Sequence, residues 1–410
     1  MSAVRFSKLS LICSLTITSC AVATVEADTL SDWLGGSGGG GRVAPGWNST
    51  AKPYPSATAF PEYGGGCASC GAYGPCDSRG GGFGDYGGVC CGPSWYDFAI
   101  ETVYIDRSIS GNSDIDLISD NPTNTTIVLG ASSADFDYEV GFRATLRYQL
   151  SATDSVEGIY LDGLNWDATV TVNDSDIDGD MDDLFSVFSQ FGTFPVNGFT
   201  ETDQAMTASL TYQTDLESVE MNYRRAWISR NQRIHGSFVG GLRYFRINES
   251  FNHTIQVRPA TSPTFSYDIQ TGNDLLGIQG GVQVGWCLMP GFVAQGEVKA
   301  GVYGNGARQN STIDTATLQL VESVKDDVVS FATDASAWMT WQCHPLIKIR
   351  CGYELLFFQD VALASDNFNP TPPNLTTADP MFVFPVRQAV LDDQGGALYH
   401  GGRLGVEVGW

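Results

Sequence analysis

The chain closes with Ala397-Leu398-Tyr399-His400-Gly401-Gly402-Arg403-Leu404-Gly405-Val406-Glu407-Val408-Gly409-Trp410. One side of an extended strand here carries Leu398, Leu404, Val406, Val408 and Trp410, and the other carries Tyr399, Arg403, Glu407 and three glycines. Such alternation predicts a β-strand with one apolar and one polar face. Two architectures accommodate it: a membrane barrel with apolar faces toward lipid, or a soluble sandwich with apolar faces toward a core.

Composition narrows the choice of protein class. The 410 residues contain no run of eighteen apolar residues beyond the N-terminus, which excludes helical membrane spans. The formal charge of −24 argues against nucleic acid as a partner, because phosphates require a basic surface. So acidic a chain favours divalent cations or a solvated, repulsive exterior.

The N-terminus predicts export. Two basic residues precede the apolar run 9–17, and Val25-Glu26-Ala27 offers small residues for cleavage, so we assign 1–27 as a signal peptide. Lipid attachment at Cys20 is the alternative. Either route takes the mature chain out of the cytoplasm, into surroundings where disulfides persist.

Residues 28–92 are rich in Gly, Pro and Cys and are predicted to form a disordered periplasmic tether. Disulfides are favoured over zinc because this segment lacks histidine. We expect some tether cysteines to bridge to each other or to turns of the following domain, and a Cys343–Cys351 bridge is a further alternative. The disulfide candidates are Cys67, Cys70, Cys76, Cys90, Cys91, Cys287, Cys343 and Cys351.

Residues 93–410 alternate in long stretches, most clearly over 136–148. A charged residue at nearly every other position suits a hydrated lumen better than the open face of a sandwich. The pattern predicts an all-β, antiparallel outer-membrane β-barrel of ten strands, with twelve as an alternative. The ten lie at about 96–104, 136–148, 155–172, 204–228, 233–249, 266–286, 292–305, 326–342, 347–360 and 397–410.

Connection lengths support the barrel. Tight turns follow the even strands, and long segments follow the odd ones, a segregation typical of outer-membrane barrels. It places both chain ends and the tether in the periplasm, with the long, acidic loops outside. Trp410, a C-terminal aromatic residue, resembles the signal read by the barrel-assembly machinery, with outer-membrane lipids as the surroundings. The long segments are about 107–134, 173–203, 250–265, 306–325 and 361–396.

Alternation also assigns the lumen, either as a closed, salt-bridged interior or as a small hydrophilic pore whose charges set selectivity. The predicted lumen-lining residues are Glu101, Glu139, Arg143, Arg147, Glu157, Glu220, Arg224, Arg243, Glu249, Glu297, Lys299, Lys348, Arg350, Glu354, Arg403 and Glu407.

Several phrases resemble the porin-like β-barrel proteins of planctomycete outer membranes. They include Ser218-Val219-Glu220-Met221-Asn222-Tyr223-Arg224-Arg225, Gly240-Gly241-Leu242-Arg243-Tyr244-Phe245-Arg246-Ile247-Asn248-Glu249 and Arg350-Cys351-Gly352-Tyr353-Glu354-Leu355-Leu356-Phe357, together with 273–281, 299–305 and 361–364. The resemblance runs from about Trp95 to Trp410. It implies an exported outer-membrane barrel with an N-terminal extension, and it implies no activity.

The second long loop predicts two further features. Asp174, Asp176 and Asp178 alternate ahead of Gly179, and Asp180 follows it, like the first half of a calcium loop. Phe185, however, stands where a bidentate Glu would complete the loop. Calcium is therefore the one cofactor considered. Apolar residues at helical spacing over 182–195 then predict a short amphipathic helix. We favour a lid that folds over the barrel mouth, with contact to the membrane or to a partner as the alternatives.

No catalytic motif occurs, and none of the four histidines lies in one, so we predict that the chain is not an enzyme. The expected function is a small porin-like passive channel for hydrophilic solutes. The alternative is a plugged structural or surface-interaction barrel whose acidic outer loops bind cations or partners.

Overall fold

The computed structural model describes residues 95–109, 115–120, 126–174, 184–192, 202–230, 233–257, 264–315, 319–344, 346–371 and 387–410. The predicted signal peptide and nearly all of the tether lie outside this range. The strands are β1 Tyr96–Ile109, β2 Asp116–Ser119, β3 Ile127–Gly130, β4 Glu139–Gln149, β5 Asp154–Asn173, β6 Phe185–Ser186, β7 Ala205–Ile228, β8 Ile234–Val257, β9 Phe265–Met289, β10 Phe292–Asp314, β11 Gln319–His344, β12 Ile347–Val361 and β13 Gly395–Gly409.

A closed antiparallel barrel accounts for ten of these strands, in the order β1-β13-β12-β11-β10-β9-β8-β7-β5-β4. The barrel and its predicted strand number are confirmed. β13 closes it against β1, with Glu101 opposite Gly405 and Tyr104 opposite Gly402. The backbone of Trp410 extends this seam, since its amide donates to Tyr96 at 3.0 Å and its carbonyl accepts from Trp95 at 2.9 Å. Within the described residues no helix is long and apolar enough to cross a membrane.

The two ends of the barrel differ. The turn end carries the short connections 150–153, 229–233, 290–291 and 345–346, together with Trp410. The loop end carries the connections after β1, β5, β8, β10 and β12. Two of the predicted long loops are wrong, because β8 and β9 leave only 258–264 between them and β10 and β11 leave only 315–318. Polar outward positions near the loop end gave these strand segments a loop-like composition.

The strands reverse their polarity along their length, as β9 shows. Toward the turn end its outward side chains are apolar, with Leu276 and Ile278 exposed by 64% and 67%. Toward the loop end the outward positions become Asp274, Gln270 and Asp268, all polar. The outside of the barrel is therefore apolar over one half and polar over the other, which fits a barrel that is only partly immersed in lipid.

The interior reverses in the opposite sense, as β8 shows. Arg243 points inward toward the turn-end half, and Phe245 and Phe251 point inward toward the loop end, with all three buried. The interior is thus charged where the exterior is apolar, and apolar where the exterior is polar. We call the outward apolar zone the apolar belt; it includes Phe98, Ile100, Phe142, Leu146, Val219, Met221, Phe238, Leu242, Leu276, Ile278, Val298, Val302, Leu355 and Phe357.

Aromatic side chains flank the belt. At the turn end Tyr96 contacts Tyr148 and Trp410, with ring centroids 5.0 and 6.0 Å apart. On the loop-end side Tyr104 stacks on Tyr138 at 4.7 Å. Such girdles are typical of the two interfaces of a membrane barrel, where amphipathic rings lie at headgroup level.

A group of segments, here called the plug, packs into the loop end of the barrel. It comprises the small sheet β3-β2-β6, the short 3-10 helices Ala131–Ser133 and Val187–Ser189, and residues 361–368. Phe188 anchors it, with ring centroids 5.2 Å from Phe265 and 5.6 Å from Phe368. Plug side chains and inward side chains of the barrel strands form one buried apolar cluster.

The amphipathic helix predicted for 182–195 is wrong, although its apolar side chains are buried in the plug as a lid would require. The segment forms β6 and one turn of 3-10 helix instead. Gln190, Phe191 and Gly192 then adopt positive φ angles of 52°, 55° and 74°, and this left-handed stretch ends the helix.

We expect the apolar belt to tolerate no charge. Ile278→Arg should reduce the free energy of folding into lipid vesicles by about 2–4 kcal/mol, because an outward guanidinium would be buried in hydrocarbon. Gln270→Arg, outward on the same strand but beyond the belt, should change it by less than about 0.5 kcal/mol. Urea titration of vesicle-folded protein measures both values, and equal effects would refute the assigned belt.

Candidate functional site in the barrel interior

The charged interior carries two groups of linked ion pairs, here together called the lumen network. Its first part centres on Arg224, which lies 2.7 Å from Glu157 and 2.6 Å from Glu297. Arg147 binds the other oxygen of Glu157 at 2.5 Å. Glu157 thus receives two guanidinium groups from neighbouring strands, which compensates its charge in a buried position.

The second part lies one layer toward the loop end. Lys299 Nζ contacts Glu220 at 2.9 Å and Asp334 at 3.4 Å. Arg243 contacts the same two carboxylates at 3.0 and 2.9 Å. Four strands therefore contribute one charge each to a closed square of alternating sign, with side chains at most 10% exposed.

The third part spans the seam between β12, β13 and β1. Arg143 forms two hydrogen bonds to Glu354, and Arg403 lies 3.5 Å from the same carboxylate. Arg350 reaches Glu101 at 3.6 Å, and Glu407 lies within ion-pair distance of both Arg350 and Lys348. A cation–π contact places the Arg403 guanidinium 4.6 Å from the centroid of the Trp338 ring.

Inward glycines make room for these long side chains. Gly281 lies opposite Lys299, and a Cβ there would meet the Lys299 Cγ at 2.7 Å. Gly405 lies opposite Glu101, and a Cβ there would meet the Glu101 Cγ at 2.5 Å. The glycines of the barrel wall therefore allow charged chains to lie flat across the lumen and fill it.

Little space remains inside. The enclosed cavity at this level has a volume of about 10 Å³ and is lined by Arg143, Asp334 and Glu354 together with apolar side chains. That is room for about one water molecule. At this level the side chains of the lumen network are therefore closely packed.

The lumen network contains fourteen of the sixteen side chains that the sequence assigned to the lumen. Glu139 is half-buried at the loop-ward end of β4. Glu249 lies among the apolar residues of the loop end. Asp334 was missed because it sits between small residues, where no alternation with large apolar side chains marks it.

Glu249 anchors the plug. It pairs with Arg107, which sequence analysis missed by placing it in a loop, and accepts hydrogen bonds from the Tyr212 hydroxyl at 2.7 Å and the Ala364 amide at 2.8 Å. Asn273 adds a second clamp, donating to the Ala362 carbonyl and accepting from the Ala362 amide, both at 2.8 Å. Segment 361–368 is thereby fixed to the barrel interior.

Asp366 introduces an unfavourable charge into this clamp. Burial, together with the nearby Asp392 and Glu249 carboxylates, raises the pKa of Asp366 to about 6, while Arg107 partly offsets this. Asp366 is therefore still mostly ionised at neutral pH, but its charge is less favourable in the folded chain than in water.

The predicted calcium site lies only partly within the described residues. Asp174 is buried after the end of β5, and Asp176, Asp178 and Asp180 lie outside the described residues, so calcium binding stays a prediction. Among described residues no group of three or more His, Cys, Asp or Glu side chains is placed to hold a metal.

The cysteine predictions need one correction. Cys343 is an exposed free thiol, so the bridges considered for it, to Cys351 or to the tether, are wrong. Cys287 is buried near the turn end and Cys351 is half-buried on β12. Their bridges to the tether stay a prediction, because Cys67, Cys70, Cys76, Cys90 and Cys91 lie outside the described residues.

The apolar belt, the aromatic girdles that flank it and the closed order of strands together define an outer-membrane β-barrel protein. Residues 88–367 match the family described as the Legionella pneumophila major outer membrane protein precursor. The match covers more than half of the chain, which belongs to this family. The family places the protein in the outer membrane and supports the resemblance to an outer-membrane barrel family; it gives no support for a planctomycete origin. No curated protein matches the chain.

Several solved structures are similar in fold. The outer membrane protease OmpT of Escherichia coli aligns over 77% of this chain and 96% of its own, at 8% identity and a TM-score of 0.41. A major outer membrane protein of Thermus thermophilus aligns over 77% and 99%, at 11% identity and a TM-score of 0.28. The Ralstonia pickettii toluene transporter TbuX aligns over 77% and 90%, at 8% identity and a TM-score of 0.22. These likenesses extend to the fold alone.

Removing one charged group from the lumen network should lower the stability of the folded protein. Glu220→Gln leaves Lys299 and Arg243 with less compensation and should lower the free energy of unfolding by about 3–5 kcal/mol. The control Glu217→Gln, outward on the same strand, should cost less than about 1 kcal/mol. Urea titration measures both. Adding Lys299→Met to Glu220→Gln should recover part of the loss, and full additivity of the two substitutions would contradict the pairing.

Asp366 should make stability fall with rising pH. Since its pKa is raised in the folded state, the stabilisation is complete below the ordinary value of 3.8 and is lost as the pH passes about 6. Asp366→Asn should remove this component and stabilise the protein at pH 7. Urea midpoints between pH 4 and 8 measure the difference from wild type, with the exposed Asp327→Asn as control. A constant difference across this range would refute the assignment.

Proposed function

We propose that the chain is a closed outer-membrane barrel that anchors and presents its loop end at the cell surface, and that it does not act as an open pore. The observation that carries this proposal is the lumen network, whose opposite charges pair with and nearly neutralise one another. An ion-conducting pore needs side chains that face water and retain net charge for the permeating solute. The inward charges here are nearly all buried.

The plug supports the same conclusion independently. Even if the lumen network were hydrated, a solute would meet the apolar cluster around Phe188, Phe368 and Tyr267 at the loop end. An apolar constriction of this kind excludes water as well as ions. The passive channel for hydrophilic solutes stays a second hypothesis. It would require both the plug and the lumen network to rearrange.

The orientation is part of the proposal. Short turns in the periplasm and long connections outside are the usual arrangement of such barrels, and the barrel-assembly machinery would receive the β13 end with Trp410. The polar outer wall near the loop end would then stand above the lipid, with the acidic loops presented to cations or partners. Cys343 would lie in the periplasm.

Planar-bilayer recording of the refolded protein tests the closed lumen. We expect no stable single-channel steps for the wild type, because the lumen network and the plug fill the described part of the barrel. A conducting barrel of known size, inserted under the same conditions, controls for recording sensitivity. Stable steps whose amplitude changes in Arg350→Gln would contradict the proposal and favour the pore.

Labelling tests the orientation. A membrane-impermeant maleimide applied to intact cells should leave Cys343 unmodified and should modify Asn310→Cys, an exposed position near the loop end. Peptide mapping identifies the modified residue. After cell lysis both should react, and labelling of Cys343 in intact cells would invert the assigned orientation.

A further inference from the structure

A group of polar side chains on the outer wall belongs neither to the lumen network nor to the plug. Ser108 Oγ lies 3.2 Å from His400 Nε2, and the Tyr353 hydroxyl lies 2.8 Å from His400 Nδ1. Both ring nitrogens of this histidine therefore contact side-chain hydroxyls. A hydroxyl on one nitrogen and an orienting group on the other is the arrangement that activates a serine nucleophile.

A carboxylate completes the group. Asp106 lies directly opposite His400 in the register of β1 and β13, and both side chains point outward. Facing residues of an antiparallel pair have their Cβ atoms about 4.5–5.5 Å apart. Asp106 is therefore close enough to stabilise a positive charge that develops on His400, without displacing Tyr353 from Nδ1.

The group lies at the loop-ward edge of the apolar belt. On β1 the outward residues change from Ile100 and Tyr104 to Asp106 and Ser108. On β12 the exposed outward residues at this level are Leu355 and Phe357. The hydroxyl of Ser108 thus lies where hydrocarbon meets the headgroup layer, the depth at which the ester bonds of a membrane lipid are found.

Tyrosines partly enclose His400. Its ring centroid is 6.2 Å from that of Tyr353 and 6.4 Å from that of Tyr138, and Tyr138 stacks on Tyr104. Ser108, Asp106, His400, Tyr138 and Tyr353 are all half-buried. The site is thus partly shielded from water yet open toward a lipid beside the barrel.

We propose that Ser108, His400 and Tyr353 form a serine hydrolase site on the outer wall, which cleaves carboxylic esters of membrane lipids. Ser108 Oγ bonds to the ester carbonyl carbon as His400 Nε2 takes its proton. The tetrahedral intermediate then loses the alcohol, which leaves with the proton from His400. Water, activated by His400, hydrolyses the acyl-serine and releases the fatty acid.

Tyr353 is the positioning residue in this scheme. Its phenol oxygen accepts the Nδ1 proton and so holds the tautomer in which Nε2 can take a proton from Ser108. The site departs from the expectation that the chain is not an enzyme, and it does not depend on whether the lumen is open.

A fluorophosphonate probe tests the nucleophile. We expect the full chain, refolded in phosphatidylcholine vesicles, to be modified at Ser108 as the serine displaces fluoride, with peptide mapping as the readout. Ser108→Ala and His400→Asn should each lose more than 90% of the modification, while Ser250→Ala, an outward hydroxyl on β8, should keep it. Absence of modification in the folded wild type, or modification at another residue only, would overturn the proposal.

A fluorogenic phospholipid ester tests turnover in the same vesicles. Wild type should hydrolyse it at least tenfold faster than Ser108→Ala, and an ether-linked analogue should remain intact. Tyr353→Phe should lower kcat several-fold with KM unchanged, which lost packing alone would not produce. Equal rates for wild type and Ser108→Ala, with both shown to be folded by heat-modifiable migration on gels, would overturn the proposal.

Discussion

A buried charge must be compensated, and in this barrel that constraint determines what the interior can be. Arg243, Lys299, Glu220 and Asp334 come from four different strands, and each is tolerable only because the others are in place. Paired charges of this kind contribute little net stability compared with apolar packing. They do enforce one register, because a one-residue slip would turn every partner toward lipid.

The reversal of polarity along the strands follows from the same constraint. Where lipid covers the outside, the apolar residues must face outward, so the inside receives the polar ones. Beyond the belt water covers the outside, and the barrel becomes an ordinary sheet with an apolar core of its own. Phe245, Phe251 and Tyr267 supply that core, and the plug completes it. Each strand is thus matched to lipid on its outer face along one part of its length and to water along the other.

Alternation together with the segregation of short and long connections predicted the barrel and its ten strands, and alternation alone assigned most of the lumen network, because lipid-facing and inward positions alternate. It could not predict where the pattern reverses. The outward residues Ser250, Asn252 and Thr254 of β8 look like loop residues, and the predicted strand ended at 249. Arg107 was missed for the same reason. The pairing between strands far apart in sequence, such as Arg143 with Glu354, has no local signature at all.

The closed lumen that we propose is the central claim about this barrel, and substituted-cysteine accessibility tests it most directly. Ser218→Cys lies inward on β7 beside Arg243, and Gln213→Cys lies outward on the same strand beyond the belt. In the folded, vesicle-embedded protein, a small charged thiosulfonate reagent should modify Gln213→Cys fully and leave Ser218→Cys unmodified until the protein is unfolded. Modification of both at similar rates would show a water-filled lumen and contradict the closed barrel.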